Sequence, residues 1–166
     1  MPAQLDGCVK IFNIVKTGVS DWKILGGKLA TRIVKDADKG ISQDGNDEKF
    51  KAYNENYAIK KSIGKAGKKG VSVDRQVNPP NLRLTGKMLD SIKAQNATKV
   101  SVEILYADGE KVMGNAKPSS KSGKPRRNIY GLNNSNQKFV EDYLSKKIEN
   151  NIFRFIAKDI EIDLNL

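Results

Sequence analysis

The sequence predicts a single α+β domain in which a small antiparallel sheet packs against an N-terminal helix and a long C-terminal helix, with long basic loops. Three observations carry this prediction. Apolar residues recur at helical spacing near both ends of the chain, a central segment alternates apolar and polar residues, and a length of 166 residues suits one domain. We place the core within about residues 9–40 and 82–157.

The N-terminal helix is predicted from about Asp21 to Lys39, because apolar residues repeat at spacings of three and four before Gly40. This stripe consists of Trp22, Leu25, Leu29 and Ile33. Residues 9–15, which precede it, alternate only loosely. They leave a short strand and an initial helix equally open.

The C-terminal helix is predicted from a second apolar stripe, which runs from Phe139 to Ile156 and spans about twenty residues. The segment Asn133-Asn134-Ser135-Asn136 precedes it and supplies several candidate N-caps. Residues 158–166 then alternate apolar side chains with acidic or amide ones. We interpret them as a possible arm, in the form of a terminal strand added to a neighbour's sheet.

The centre of the chain supplies the sheet. Residues 99–108 alternate with period two and predict a strand, and residues 128–132 predict a brief second one. Ahead of the sheet, three aromatic residues at spacings of three and four predict one side of a short helix. They are Phe50, Tyr53 and Tyr57.

The block Leu84-Thr85-Gly86-Lys87-Met88 predicts the start of another short helix. Thr85 is its expected N-cap, and an apolar stripe is expected to bury against the strand. The motif residues with this structural role are Thr85, Gly86, Met88, Leu89 and Ile92. Thr85→Ala should then cost about 1 kcal/mol of stability, and Leu89→Ala about 2–5 kcal/mol.

The net charge of +11 is concentrated in two segments, residues 58–75 and 110–127. Each segment has six basic residues and one acidic residue, a net of +5. Both are rich in Gly, Ser or Pro, which predicts mobile loops. Such charge either keeps a surface solvated or contacts phosphates and acidic protein surfaces. The candidate DNA or inter-subunit contacts are Lys60, Lys61, Lys65, Lys68, Lys69, Lys117, Lys121, Lys124, Arg126 and Arg127.

The composition removes most enzyme classes. Histidine is absent and Cys8 is the one cysteine, so Ser-His-Asp triads, Cys-His dyads and the usual zinc or iron ligand sets cannot form. The Gly-Lys pairs lack the remaining residues of a phosphate loop. We therefore predict that the protein is not an enzyme and that it has no catalytic residue, no cofactor and no metal. No apolar run approaches the ~18 residues of a membrane span and no signal-peptide pattern begins the chain, so we predict no membrane association.

Several short blocks stand in an order that resembles a known family. The blocks are Asp44-Gly45, then Phe50, Tyr53, Tyr57 and Lys60-Lys61, then Leu82 to Ile92 with its Leu-Thr-Gly-Lys-Met, a strand ending in Tyr106-Ala107, and Arg127 to Leu132. In this order, from about residue 22 to residue 156, the chain resembles the neck and tail-completion (head–tail joining) proteins of tailed bacteriophages, the HK97-like and Mu virion-morphogenesis-like group. Asn54 stands where a serine is common in that group, and the Lys-rich segment 110–127 replaces its usual elements after the strand.

The resemblance implies a structural virion protein that forms a homo-oligomeric ring between head and tail, as a neck ring or a tail terminator, after assembly in the host cytoplasm. Its implied partners are further copies of the chain, adjacent proteins of the connector, neck or tail tube, and genomic DNA in the channel. The alternative function is a basic, non-specific nucleic-acid-binding protein.

Either function predicts that the basic loops become ordered only on a partner, because ordering costs conformational entropy. Loop residues of this kind lie outside the expected core. Changing the basic residues of the second segment should therefore leave the monomer folded and impair assembly or DNA retention. The residues to change are Lys117, Lys121, Lys124, Arg126 and Arg127.

Overall fold

A computed structural model describes residues 18–117 and 125–163, with the side chains up to residue 154. The predicted α+β class is confirmed: five helices and a two-stranded antiparallel sheet form the described part of the chain. In chain order they are α1 (Val19–Asp38), α2 (Glu55–Ser62), α3 (Lys87–Asp90), β1 (Ile92–Gln95), β2 (Glu103–Tyr106), α4 (Gly109–Ala116) and α5 (Asn134–Asp163). The interpretation of residues 9–15, and Cys8 with it, falls outside the described residues.

Helix α1 lies at the centre of the fold, within two residues of its predicted bounds. Leu25, Leu29 and Ile33 of its apolar stripe are buried, with Ile33 fully inaccessible to solvent, while Trp22 is half-buried. Gly26 is required where the sheet crosses this helix, because a Cβ there would lie 2.6 Å from Val102 and 2.8 Å from Ala94. A residue that weakens the isolated helix thus permits the close packing of helix and sheet.

Strands β1 and β2 pair from Ile92 opposite Tyr106 to Gln95 opposite Glu103. The sheet is therefore shorter than the predicted strand 99–108. Thr98 and Ser101 form a turn instead, with their hydroxyl oxygens 2.8 Å apart, and Val100 in that turn is 76% exposed. The second strand predicted at 128–132 is wrong, because that segment makes no strand pairing and its buried Asn128 bonds within the loop.

Helix α5 packs antiparallel to α1. The guanidinium of Arg32 lies 4.6 Å from the Phe139 ring centroid, and the Asp21 carboxylate lies 2.7 Å from the Lys147 ammonium. Helix α5 has 30 residues rather than about twenty. It is helical through residues 158–163, so the strand predicted there is wrong for these residues, while residues 164–166 lie outside the described part.

An amide cluster joins the start of α5 to the loop that follows α1. Asn136 is fully buried and donates to Asp36 at 2.8 Å and to Gln43 at 2.9 Å. Asn133 accepts from the Asn136 backbone N–H at 2.9 Å, which confirms a cap within the predicted segment. No buried side-chain polar atom of the described residues lacks a hydrogen bond, so this polar core is a fixed scaffold.

Candidate binding cleft and the basic segments

A cleft of about 450 Å³ lies between the segment before α2, the segment 81–88 and one side of α4. Tyr53 and Tyr57 form one wall, with ring centroids 5.0 Å apart, and Leu82, Leu84 and Met88 contribute apolar surface. The size and the mixture of apolar walls with a few polar groups are typical of ligand-binding and peptide-binding clefts.

Behind this wall, Lys61 is fully buried, although the sequence places it in a basic loop. Its ammonium donates to the Asn81 side chain at 2.5 Å and to the Gln76 carbonyl at 2.6 Å, and lies 3.1 Å from the Asp74 carboxylate. Burial lowers the pKa of Lys61, and the bond to Asp74 opposes that shift. Desolvation raises the pKa of Asp74, but its bonds with Asn81 and Lys61 prevail and lower it.

Arg127 is also buried, and it packs on the Tyr53 ring with 4.5 Å between the guanidinium carbon and the ring centroid. Its guanidinium donates to the carbonyls of Lys51 at 2.9 Å and Ala52 at 3.1 Å. Within the described residues no carboxylate pairs with it. Desolvation lowers the pKa of Arg127. The carbonyl oxygens and the Tyr53 ring stabilise the buried charge in place of a carboxylate.

Tyr53 lies between the two buried cations. Its hydroxyl donates to the Asn81 carbonyl, and the Lys61 ammonium lies 5.0 Å from its ring centroid. Desolvation raises the pKa of Tyr53 to about 12. The ring therefore stays neutral at physiological pH and presents its electron-rich face to both cations.

The remaining cations of the cleft differ in how far they are neutralised. Arg83 bonds to two carboxylates, Asp38 at 2.9 Å and Asp90 at 2.8 Å, and Lys111 pairs with Asp108. Lys87 is exposed on the rim, and no described residue pairs with it. Lys87 and Arg127 thus leave the cleft positively charged beside apolar and aromatic walls. The arrangement suits an anionic group attached to an apolar body.

The ten predicted contact residues separate into three groups. Lys60, Lys65, Lys68, Lys69 and Lys117 are exposed, as is Arg126, whose side chain lies 2.6 Å from the Asp44 carboxylate. Lys121 and Lys124 lie outside the described residues. Lys61 is fully buried and does not line the cleft, so its prediction as a surface contact is wrong. Arg127 is largely buried, but it lines the cleft.

Two further predictions about the basic segments need correction. Residues 58–62 belong to α2 and residues 110–116 to α4, so neither basic segment is loop throughout. We expected that all five basic residues chosen from the second segment could be replaced without unfolding the monomer. This expectation fails at Arg127, because its guanidinium packs on the Tyr53 ring and donates to the Lys51 carbonyl.

The Leu-Thr-Gly-Lys-Met block borders the cleft but is built differently from the prediction. Gly86, at φ 82°, is the N-cap of α3, and the exposed Thr85 makes no capping bond. Met88 and Leu89 are buried as expected, whereas Ile92 is buried from β1 rather than from the helix. Likewise, α2 begins after Phe50 and Tyr53, so Tyr57 alone of the predicted aromatic trio lies on it.

Sequence patterns missed Tyr53, Asn81 and Arg127 as parts of one site. They come from three segments far apart in the chain, and no spacing rule connects them. The resemblance blocks contained Tyr53 and Arg127, but only as separate members of an ordered series.

Among the described residues no group of three or more carboxylate or thiol side chains lies close enough to hold a metal ion. No described helix is both long and apolar enough to cross a bilayer. No protein-family model, curated protein or solved structure matches the chain.

Proposed function

We propose that the protein is a structural component of a tailed-phage virion, a ring-forming neck or tail-completion subunit that joins head and tail. Its partners in this role are further copies of itself and the adjacent connector, neck or tail-tube proteins, with genomic DNA in the channel as a secondary contact. The ordered blocks from Asp44 to Leu132 support the family assignment.

The observation that carries the proposal is the length of helix α5 beyond its contact with α1. Lys147 pairs with Asp21, two residues from the start of α1, and α5 continues for sixteen residues beyond Lys147. At 1.5 Å per residue this is about 24 Å of helix. Ile152 and Phe153 on this extension are 39% and 69% exposed. Exposed apolar side chains on a projecting helix favour contact with another subunit.

A rigid centre supports the same role. The amide cluster around Asn136 and the buried Lys61 site fix the loops around α1, while the projecting helix and the exposed lysines lie outside that centre. A closed ring repeats one heterologous contact, so a single projecting surface and a single receiving surface are sufficient.

The test is the molar mass of the purified chain by light scattering over a range of concentrations, with particle shape by negative-stain electron microscopy. We expect concentration-dependent assembly into closed rings. Phe153→Ser should weaken this assembly at least tenfold and leave the melting temperature unchanged, whereas the neighbouring exposed Asn150→Ser should assemble normally. A chain that remains monomeric at every concentration, alone and with virion proteins, would contradict the proposal.

A second candidate function, non-specific nucleic-acid binding, is favoured by the exposed lysines around α2. Lys60, Lys65, Lys68 and Lys69 lie within ten residues and are exposed. Contacts of this kind read phosphates rather than bases. If binding is the main activity, affinity for duplex DNA should fall steeply with salt for the monomer, without any ring. If the ring is the main product, DNA binding should be weak in the monomer.

A further inference from the structure

We infer that the cleft between the segment before α2, the segment 81–88 and α4 receives the acidic segment 159–166 of a second copy of this chain. This inference rests on the proposed ring and specifies its contact: a cationic cleft on one subunit and the end of the long helix on the next.

Charge and composition select the occupant. The segment contains Asp159, Glu161 and Asp163, with Ile or Leu between and after them and no basic residue. It is the strongly acidic, apolar part of a chain whose net charge is +11. The cleft offers the complement, since Arg127 and Lys87 have no described carboxylate partner and the walls are aromatic and aliphatic. Opposite charges on apolar surfaces favour a specific contact.

The geometry of the two long helices requires that the occupant comes from another copy. Asp38, which binds Arg83 at the cleft, ends α1, whereas Asp21, which binds Lys147, lies near its start. These ends are seventeen residues apart, about 26 Å along the helix. Because α5 runs antiparallel to α1, its last sixteen residues lead about 24 Å further from the cleft. A chain cannot fill its own cleft while α5 is intact.

The contact is heterologous, since the two surfaces differ, and repetition of it either closes a ring or extends a filament. A projecting helix and a receiving cleft at opposite ends of α1 are suited to head-to-tail repetition. The cleft volume of about 450 Å³ accommodates a few side chains, which matches a short segment rather than a whole helix face.

A second groove, between β2 and α4, is the competing receiver. It has a comparable volume of about 420 Å³, and Tyr130 and Met113 give it an apolar lining. Glu103 lines this groove, however, and would face the acidic side chains of the segment. Like charges disfavour that pairing, so the cationic cleft is the better receiver.

The test joins two different variants of the full chain by a disulfide, each in a Cys8→Ser background so that one thiol remains per chain. One variant carries Lys87→Cys at the cleft rim and the other carries Ile162→Cys. We expect a mixed disulfide between the two chains at concentrations that give rings. Lys138→Cys, an exposed lysine on the first turns of α5, is the matched control and should not form it.

Charge reversal gives a second readout that does not depend on a cysteine. Lys87→Glu with Lys111→Glu, or Asp159→Lys with Asp163→Lys, should each weaken self-association at least tenfold by light scattering. Combining the two pairs should restore most of the association. Lys138→Glu with Lys146→Glu makes the same change in charge on exposed α5 residues and should have little effect. Melting temperatures of all variants report whether they fold.

The outcomes separate the inference from the proposed function. Rings that persist after charge reversal and form no cleft disulfide would overturn the inference and leave the ring intact. A disulfide of Ile162→Cys with Tyr130→Cys instead would assign the segment to the second groove and also overturn it. A bond formed within one diluted chain carrying both Lys87→Cys and Ile162→Cys would exclude exchange between copies. A chain monomeric under all conditions would overturn both proposals.

Discussion

The guanidinium of Arg127 packs on the ring of Tyr53, 4.5 Å from its centroid, although 74 positions separate the two residues in the chain. The ammonium of Lys61 lies 5.0 Å from the same ring centroid. One neutral tyrosine therefore lies between two buried cations. Of these two cations, only Lys61 forms an ion pair with a described carboxylate, that of Asp74. This arrangement explains why two residues of the basic segments are structural, and it leaves the adjoining cleft positively charged.

Lys61→Met should destabilise the protein strongly. It removes the Lys61 donor from the buried Asn81 oxygen and from the Gln76 carbonyl, and it removes the cation that pairs with Asp74. Loss of one partner of a buried pair costs about 3–5 kcal/mol, and the partial exposure of Asp74 favours the lower end of that range. Lys60→Met on the same helix changes an exposed residue and should stay within about 0.5 kcal/mol of wild type. Urea denaturation measures both, and equal values would show that the Lys61 site contributes no specific stability.

Asp74 should contribute to acid unfolding. Its pKa in the folded protein lies below the ordinary value of 3.8, so the unfolded chain binds the proton more readily. The stabilisation is complete above about 3.8 and is lost as the pH falls through the folded pKa. The difference in the free energy of unfolding between wild type and Asp74→Asn, here called the stability gap, should therefore narrow below pH ~3.8.

Thermal melts from pH 7 to pH 2.5, at constant ionic strength, measure this gap. Glu149→Gln, an exposed carboxylate on α5, provides the control and should show no such narrowing. A gap for Asp74→Asn that stays constant with pH would mean that its carboxylate is not preferentially ionised in the folded state.

Gly86, and not the predicted Thr85, is the N-cap of α3. Gly86→Ala should destabilise by at least about 1 kcal/mol, because an L-residue disfavours positive φ. The added Cβ would also lie 2.5 Å from a carboxylate oxygen of Asp90. Thr85→Ala, in the adjacent exposed position, should stay within about 0.5 kcal/mol of wild type. A loss of about 1 kcal/mol for Thr85→Ala and none for Gly86→Ala would restore the threonine cap.

The exposed lysines of the first basic segment should determine the salt dependence of DNA binding. Replacing Lys60, Lys65, Lys68 and Lys69 with Gln should lower the slope of log affinity against log salt by about 3 to 4, at ~0.9 for each phosphate that is no longer neutralised. The melting temperature should not change. A control set of four exposed lysines from other elements, Lys23, Lys49, Lys138 and Lys146, should change the slope less. Equal changes in both sets would mean that net charge, and not this segment, attracts DNA.

The elements that sequence predicted well are those with a local cause. The stripe from Trp22 to Ile33 fixes α1 within two residues, and the asparagines before Phe139 locate the start of α5. The strand was predicted too long because alternation persists through a turn in which Thr98 and Ser101 bond to each other. The end of α5 is helical where a strand is predicted, because alternating apolar and acidic residues suit either conformation.

The site could not be predicted because its causes are not local. Lys61 and Lys60 are neighbours with the same side chain, yet one is fully buried and the other exposed. Only the approach of Asn81, Asp74 and Tyr53 from other segments makes burial of the first possible. A count of charges along the chain assigns both to a solvated loop. Among the described residues, the basic segments contain two buried cations, Lys61 and Arg127, and a set of exposed ones.

Counting this chain in purified phage particles by quantitative mass spectrometry tests whether it is a ring subunit that joins head and tail. We expect a fixed number of copies per particle, equal to the number of subunits in rings of the purified protein. Particles that lack the chain, with the protein recovered instead on free nucleic acid in the lysate, would contradict it.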